Sequence, residues 1–191
     1  MTALLTKRRF SVKEFIKMAE AGILYEDDRL ELLDGEIIQM AAIGSYHAAC
    51  VDTLTERFVL ATQGSAIVRP QNPLKMSDDT LLEPDLVIAR PHENRYRETY
   101  PTPKDVLLII EVSDSTINYD ANVKIPRYAS GGAPEVWQVN LQHDLIDSYS
   151  DPDTASGRYL NVRRFLRGQT ITPTLLSNAK LNVSDILLSQ V

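Results

Sequence analysis

The chain has 191 residues, 43% hydrophobic and 24% charged, which fits one globular domain with a substantial core. No apolar stretch approaches the length of a membrane span, and a single cysteine, Cys50, excludes an intrachain disulfide and fits a reducing cytoplasm. A net charge of −6 counts against simple binding to phosphate backbones, because the basic clusters are only local: Lys7-Arg8-Arg9, the stretch from Arg90 to Arg97, and Arg163-Arg164 with Arg167.

Residues 1–9 carry few apolar side chains before the basic triplet and do not read as a signal peptide. Phe10-Ser11-Val12-Lys13-Glu14-Phe15 opens a helix, with Ser11 and Glu14 as a capping box and Phe10 stapled to Phe15. Val12, Phe15, Ile16 and Ala19 follow helical spacing, and Gly22 ends the run. Residues 30–40 read as a hairpin turning on Asp34-Gly35, with Glu31 on its first strand. A second helix follows Gly44, capped by Ser45 and ended by Gly64. Its stripe of His47, Val51, Leu54 and Phe58 puts His47 at the head of the apolar face, and Cys50 reads as a buried small hydrophobe.

Residues 66–76 read as a strand broken at Pro70 and Pro73, Ser77-Asp78-Asp79-Thr80 as a turn, and residues 83–90 as the returning strand. Alternation then places Glu83 and Asp85 on one face, with Pro84 suiting a strand end or an edge. The polar stretch 91–104 is a surface excursion, either a charged loop or one whose Tyr96 and Tyr100, among Arg95 and Arg97, grip a nucleic-acid strand.

Val106-Leu107-Leu108-Ile109-Ile110 has no polar face, as expected of a central strand buried on both sides. Glu111 closes that strand and needs a cation there, because an unpaired buried carboxylate is strongly disfavoured. If the strand carrying Asp85 is its neighbour, two carboxylates converge. Such a pair suits a hard divalent cation, and a nearby lysine adds positive charge where an oxyanion develops. Asp120, Lys124 and Tyr128 are spaced four apart on one helix face, with Pro126 either kinking that helix or lying in its first turn. Gly131-Gly132 ends it. Residues 135–140 and 145–149 form a second hairpin with Trp137 in the core or an interface. A polar turn at 151–157, strands at 159–165 and 168–172, and a helical tail at 183–188 capped by Ser184 follow.

Pro84-Asp85, then Glu111-Val112-Ser113, then a lysine on the next helix resembles the PD-(D/E)XK nuclease superfamily. More narrowly, the chain resembles the Uma-two family of endonucleases in Arg29-Leu30-Glu31-Leu32-Leu33-Asp34-Gly35-Glu36, Gln71-Asn72-Pro73, Glu83-Pro84-Asp85-Leu86, Ile110-Glu111-Val112-Ser113, residues 120–128, and Pro134-Glu135-Val136-Trp137. The resemblance implies an α/β (α+β) fold over a single domain, 1–191. This is a restriction-endonuclease-like mixed central sheet flanked by helices, with an additional N-terminal helix and β-hairpin. It implies a DNA endonuclease dependent on Mg²⁺ or Mn²⁺, cytoplasmic, homodimeric and without membrane contact.

The implied catalytic residues are Asp85, Glu111, Lys124 and Glu31. Asp85, Glu111 and the backbone carbonyl of Val112 would hold the metal, with Glu31 on a second metal or a metal-bound water. Where the parent motif has a lysine this chain has Ser113, and Lys124 on the following helix takes its place. His47, Gln71, Glu83, Ser113, Asp120 and Tyr128 are implied as supporting residues. Plainer readings stand beside several of these site residues: an exposed strand glutamate paired with Arg29 or nothing for Glu31, a satisfied structural histidine for His47, a strand-edge amide for Gln71, a solvated carboxylate for Glu83, and a simple Lys124 ion pair with Asp120 or Glu111. Two other functions fit the same residues. One is a catalytically silent nuclease fold serving as a DNA-binding or protein-interaction module; the other is a metallohydrolase acting on a non-nucleic phosphoester.

Overall fold

A computed structural model describes residues 6–187, so the expectations for residues 1–5 and for Leu188 lie outside the described residues. In chain order the elements are α1 (Val12–Glu20), β1 (Leu30–Leu33), β2 (Glu36–Gln39), α2 (Ser45–Thr62), β3 (Ile67–Pro70), β4 (Leu74–Lys75), β5 (Leu81–Leu82), β6 (Leu86–Ala89) and β7 (Val106–Ser113). A helical stretch follows, made of α3 (Ile117–Tyr119), a π turn over Asp120–Lys124, and α4 (Ile125–Gly131). The chain continues with β8 (Glu135–Asn140), β9 (Leu145–Asp153), β10 (Arg158–Leu166), β11 (Thr170–Ile171), β12 (Leu181–Asn182) and α5 (Val183–Ile186).

The main sheet has six strands in the order β10-β9-β8-β7-β6-β3. β7 and β8 run parallel, joined through the helical stretch, and the other pairs are antiparallel. Every residue of β7 is buried, as its unbroken apolar run requires. One face is covered by α2, whose Cys50, Leu54 and Phe58 pack with Leu108, Ile110 and Trp137. The other is covered by α4, whose Ile125, Tyr128 and Ala129 pack with Val87, Ile109 and Val136. The mixed sheet, the flanking helices and the added N-terminal helix and hairpin all stand as the resemblance implies.

A smaller sheet, β2-β1-β5-β4, carries α1 on Leu32 and Leu81 through Val12. The Ser11–Glu14 capping box forms, and Asp34 (φ 50°) with Gly35 (φ 78°) makes the tight turn between β1 and β2.

Several expectations need correction. The turn at residues 77–80 joins β4 to β5 in the small sheet, while β3 pairs with β6 in the large one. Between β3 and β6 the chain therefore crosses between sheets twice, at residues 71–73 and 83–85, and Glu83 does not share a strand with Asp85. The N-cap of α2 is Gly44 rather than Ser45, and Asn182 rather than Ser184 caps α5. Tyr96 is buried, with its hydroxyl donating to Arg90 O, its ring stacked on His92 and the Arg69 guanidinium over it. Tyr100 packs against the α1 cluster. Tyr96 therefore does not project as a gripping side chain. The N-terminal and C-terminal basic clusters are largely neutralised: Lys7 and Arg9 lie by Glu36, Arg8 by Glu14, Arg164 by Asp147 and Arg167 by Asp144.

Pro126 neither breaks nor visibly ends the helical stretch. It lacks an N–H, and the turn before it widens so that Ile125 N–H reaches back five residues to Asp120 O. Elsewhere Glu135 anchors the C-terminal half. Its carboxylate is buried and accepts from Trp137 Nε1 at 2.6 Å, Ser148 Oγ at 3.0 Å and Thr174 N at 2.6 Å. Replacing Glu135 with Ala strands all three donors and is expected to cost about 3 kcal/mol. Thermal denaturation measures this, and an unchanged Tm would refute the anchoring role.

Candidate active site

The site lies where β6 stops short of β7. Leu86 pairs with Ile110, so continuing the register puts Asp85 opposite Glu111 and Pro84 opposite Val112. Val112 N–H instead donates to Asp85 Oδ2 at 2.8 Å. A strand residue points its N–H and C=O to the same edge, so the Val112 carbonyl faces that gap too. Opposite it in the register stands a proline with no N–H to offer. The Pro-Asp pair thus ends the ladder and leaves a backbone oxygen beside two carboxylates.

The helical stretch supplies the cation. Lys124 Nζ is buried and sits 3.0 Å from Glu111 Oε1 and 3.0 Å from Glu31 Oε1. Tyr128 OH also donates to Glu111 Oε1, which leaves Oε2 of that carboxylate without a hydrogen bond. Glu31 Oε1 accepts from Glu83 N at 2.7 Å, while its Oε2 is buried and has no partner. Asp85 Oδ1 is 3.1 Å from His47 Nε2, one turn into α2. Asp120 Oδ2 accepts from Ser113 Oγ and Thr116 Oγ1, both at 2.7 Å, and Ser113 Oγ in turn takes Gln138 Nε2 at 3.1 Å.

These contacts set the charges. Burial pushes the Glu111 carboxyl up to about 8, with Lys124 pulling it down and Asp120, Asp85 and Glu31 pushing it further up. Burial opposes the charge on Lys124, but Glu111, Glu31, Asp120 and Asp85 together hold its ammonium well above the usual lysine range. Burial also raises Asp120 and Glu83. Acid therefore outnumbers base here, and the surplus is desolvated.

A cavity of about 360 Å³ opens on this cluster, and Glu31, His47, Gln71, Glu83, Asp85, Glu111, Val112, Asp120 and Lys124 all line it. Ser113 and Tyr128 stand behind the lining and act through Asp120 and Glu111. Sequence reasoning missed Arg29, Thr116 and Tyr119, which line the same cavity, and Gln138, which backs Ser113. Thr116 was legible as a hydroxyl four residues before Asp120; the others carry no sequence signal.

Among the described residues no three His, Cys, Asp or Glu side chains form a ready-made metal cage. The donor set nevertheless fits a hard divalent cation. It is all oxygen, it carries surplus negative charge, and the buried orphan Glu31 Oε2 lacks the partner that buried polar atoms require.

The Uma2 family model, described as "putative restriction endonuclease", matches residues 12–184. The chain is a member of the Uma2 family. Among solved structures, this Uma2 chain is similar to one described as "a putative nuclease belonging to DUF820" from Anabaena variabilis ATCC 29413. The TM-score is 0.71 at 16% identity, covering 93% of this chain and 97% of the other. That likeness shows that the two chains share a fold. The type IIG restriction endonuclease BpuSI aligns at a TM-score of 0.39 and 17% identity, over 60% of this chain and 13% of that one, a level that carries no weight for the fold. No curated protein matches the chain. No helix among the described residues is long and apolar enough to cross a membrane.

Proposed function

We propose that this Uma2 chain is a divalent-metal-dependent DNA endonuclease working as a single nuclease-like domain, cytoplasmic and homodimeric. The observation that carries the reading is the gathering of Asp85, Glu111 and Glu31 around Lys124 at the end of a fully buried central strand. Asp85, Glu111, Glu31 and the Val112 carbonyl would hold Mg²⁺ or Mn²⁺. When bound, such an ion supplies Lewis-acid activation of water and neutralises charge on the scissile phosphate.

The chain's own residues do the rest. Lys124 is held charged by its carboxylates and aims an ammonium at a phosphate oxygen or the attacking water. Tyr128 orients Glu111, and His47 orients Asp85. Ser113 and Thr116 hold Asp120 at the start of the π turn that ends on Lys124. Widened turns of this kind recur at functional sites.

The test is cleavage of supercoiled plasmid and single-stranded DNA in Mg²⁺ and Mn²⁺, comparing wild type with Glu111→Gln and Lys124→Ala. Loss of nicking in both variants supports the assignment, whereas equal activity in all three would overturn it. His47→Gln should keep the fold and lower activity by roughly 10–100-fold, the usual effect of losing a partner that orients a ligand. A wild-type rate in that variant would make His47 merely structural. Sedimentation at micromolar concentration tests the dimer, and a monomer there would refute it.

One observation favours the silent binding module instead: most basic side chains in the terminal clusters, Lys7, Arg8, Arg9, Arg164 and Arg167, are paired with acids. Salt-dependent DNA binding that persists without metal and without cleavage would select that reading.

A further inference from the structure

The acidic cavity does not end at the carboxylates. A second groove of about 640 Å³ runs between α1 and the small sheet, and the two share Arg29, Gln71 and Glu83 as common walls. Two of those shared residues have left-handed backbones: Arg29 at φ 49° and Gln71 at φ 47°. They lie at the junction, where the chain enters β1 and where it crosses between sheets. Arg29 reaches across to donate to Ala41 O at 2.9 Å, on the loop that lines the acidic cavity.

The groove's lining is unlike that of the acidic cavity. It presents the aromatic rings of Phe15, Tyr25 and Tyr100 and the side-chain amide of the shared Gln71, with Glu20 its one acid beyond the shared Glu83; the Asn72 amide is held by Pro70 O. Phe15 and Tyr100 are half buried against the α1 cluster. Tyr25 is 68% exposed, so its ring is open to a ligand in the groove.

We infer that this groove seats unpaired bases of a single-stranded nucleic acid beside the scissile phosphate. This rests on the nuclease reading of the adjoining cavity and adds the substrate class. Aromatic faces stack on bases whatever their sequence, amides meet base edges, and one arginine at the junction faces the strand where it turns toward the carboxylates. A duplex keeps its base faces stacked inside and presents none of them to such a groove, so an unpaired strand is the occupant that uses the aromatic lining.

The experiment measures binding of a labelled oligothymidylate and of a duplex of equal length to the wild-type protein in EDTA, where divalent metal contributes nothing. The two probes are then repeated with Tyr25→Ala and Tyr25→Phe. Tyr25 is exposed, so neither substitution disturbs the core. The expected result is tighter binding of the single strand, a roughly tenfold loss in Tyr25→Ala, and wild-type binding in Tyr25→Phe, which retains the ring. Equal or tighter binding of the duplex, or an unchanged Tyr25→Ala, would overturn the groove assignment. If neither probe binds while Glu111-dependent cleavage persists, the groove assignment alone falls. If there is neither binding nor cleavage, both readings fall.

Discussion

Replacing Glu111 with Gln will abolish divalent-cation binding and lower DNA cleavage by on the order of 10³-fold, with the fold intact. The amide keeps an acceptor for Tyr128 OH, and Lys124 keeps its ion pair with Glu31, so the core loses little. Stability should change by no more than about 1 kcal/mol, the scale of a single altered hydrogen bond. What disappears is one of the few charges able to face a cation in a site already short of solvent. Titration with Mn²⁺ by calorimetry, beside circular dichroism, separates the two effects. Wild-type Mn²⁺ affinity in the variant would exclude Glu111 from the metal site.

Lys124→Met will have the largest effect on stability. The ammonium stands between two buried carboxylates, and removing it leaves Glu31 and Glu111 facing each other without a countercharge. Breaking a buried pair in this way costs about 3–5 kcal/mol.

The loss will depend on pH, with a definite sign. The Glu111 carboxyl is already raised from 4.5 to about 8 by burial, and without Lys124 it rises further. A group whose folded pKa is raised contributes stability that is present below its unfolded value and disappears as pH climbs through the folded one. Both folded proteins keep this carboxyl protonated below about pH 8, so the charge-dependent part of the deficit should be small at about pH 6 and open as pH climbs through about 8 toward about 9. Millimolar Mg²⁺ or Mn²⁺ should restore part of the loss, because a ligand that binds only the folded state stabilises it. Chemical denaturation at the two pH values checks this, and a deficit independent of pH would refute the charge account.

Local signals were read correctly where they act locally. The Ser11–Glu14 cap, the Asp34-Gly35 turn, the apolar run of β7 and the Gly131-Gly132 stop each follow from neighbours within a few residues. The misreadings have a common cause. A turn at residues 77–80 says that the chain reverses but not which strand it returns to, and here the reversal belongs to a second sheet. Tyr96 sits in a polar stretch with arginines on both sides, yet it is buried, its hydroxyl on Arg90 O and its ring between His92 and the Arg69 guanidinium. Pro126 left a kink or a place in the first turn open, and it lies in the first turn of α4; spacing alone could not show that the turn before it widens.

The candidate site divides along the same line. Asp85, Glu111 and Lys124 could be nominated from one linear stretch, because an apolar strand ending in a carboxylate already implies a cation. That Lys124 would lie 3.0 Å from both Glu31 and Glu111, that His47 would hold Asp85, and that Arg29 and Gln71 would join two cavities could not be read from the order of residues. Those relations depend on sheet register and on where two sheets meet. Both are set by long-range burial, which couples residues as far apart as Glu31 and Lys124, whereas caps, turns and apolar periods depend only on near neighbours.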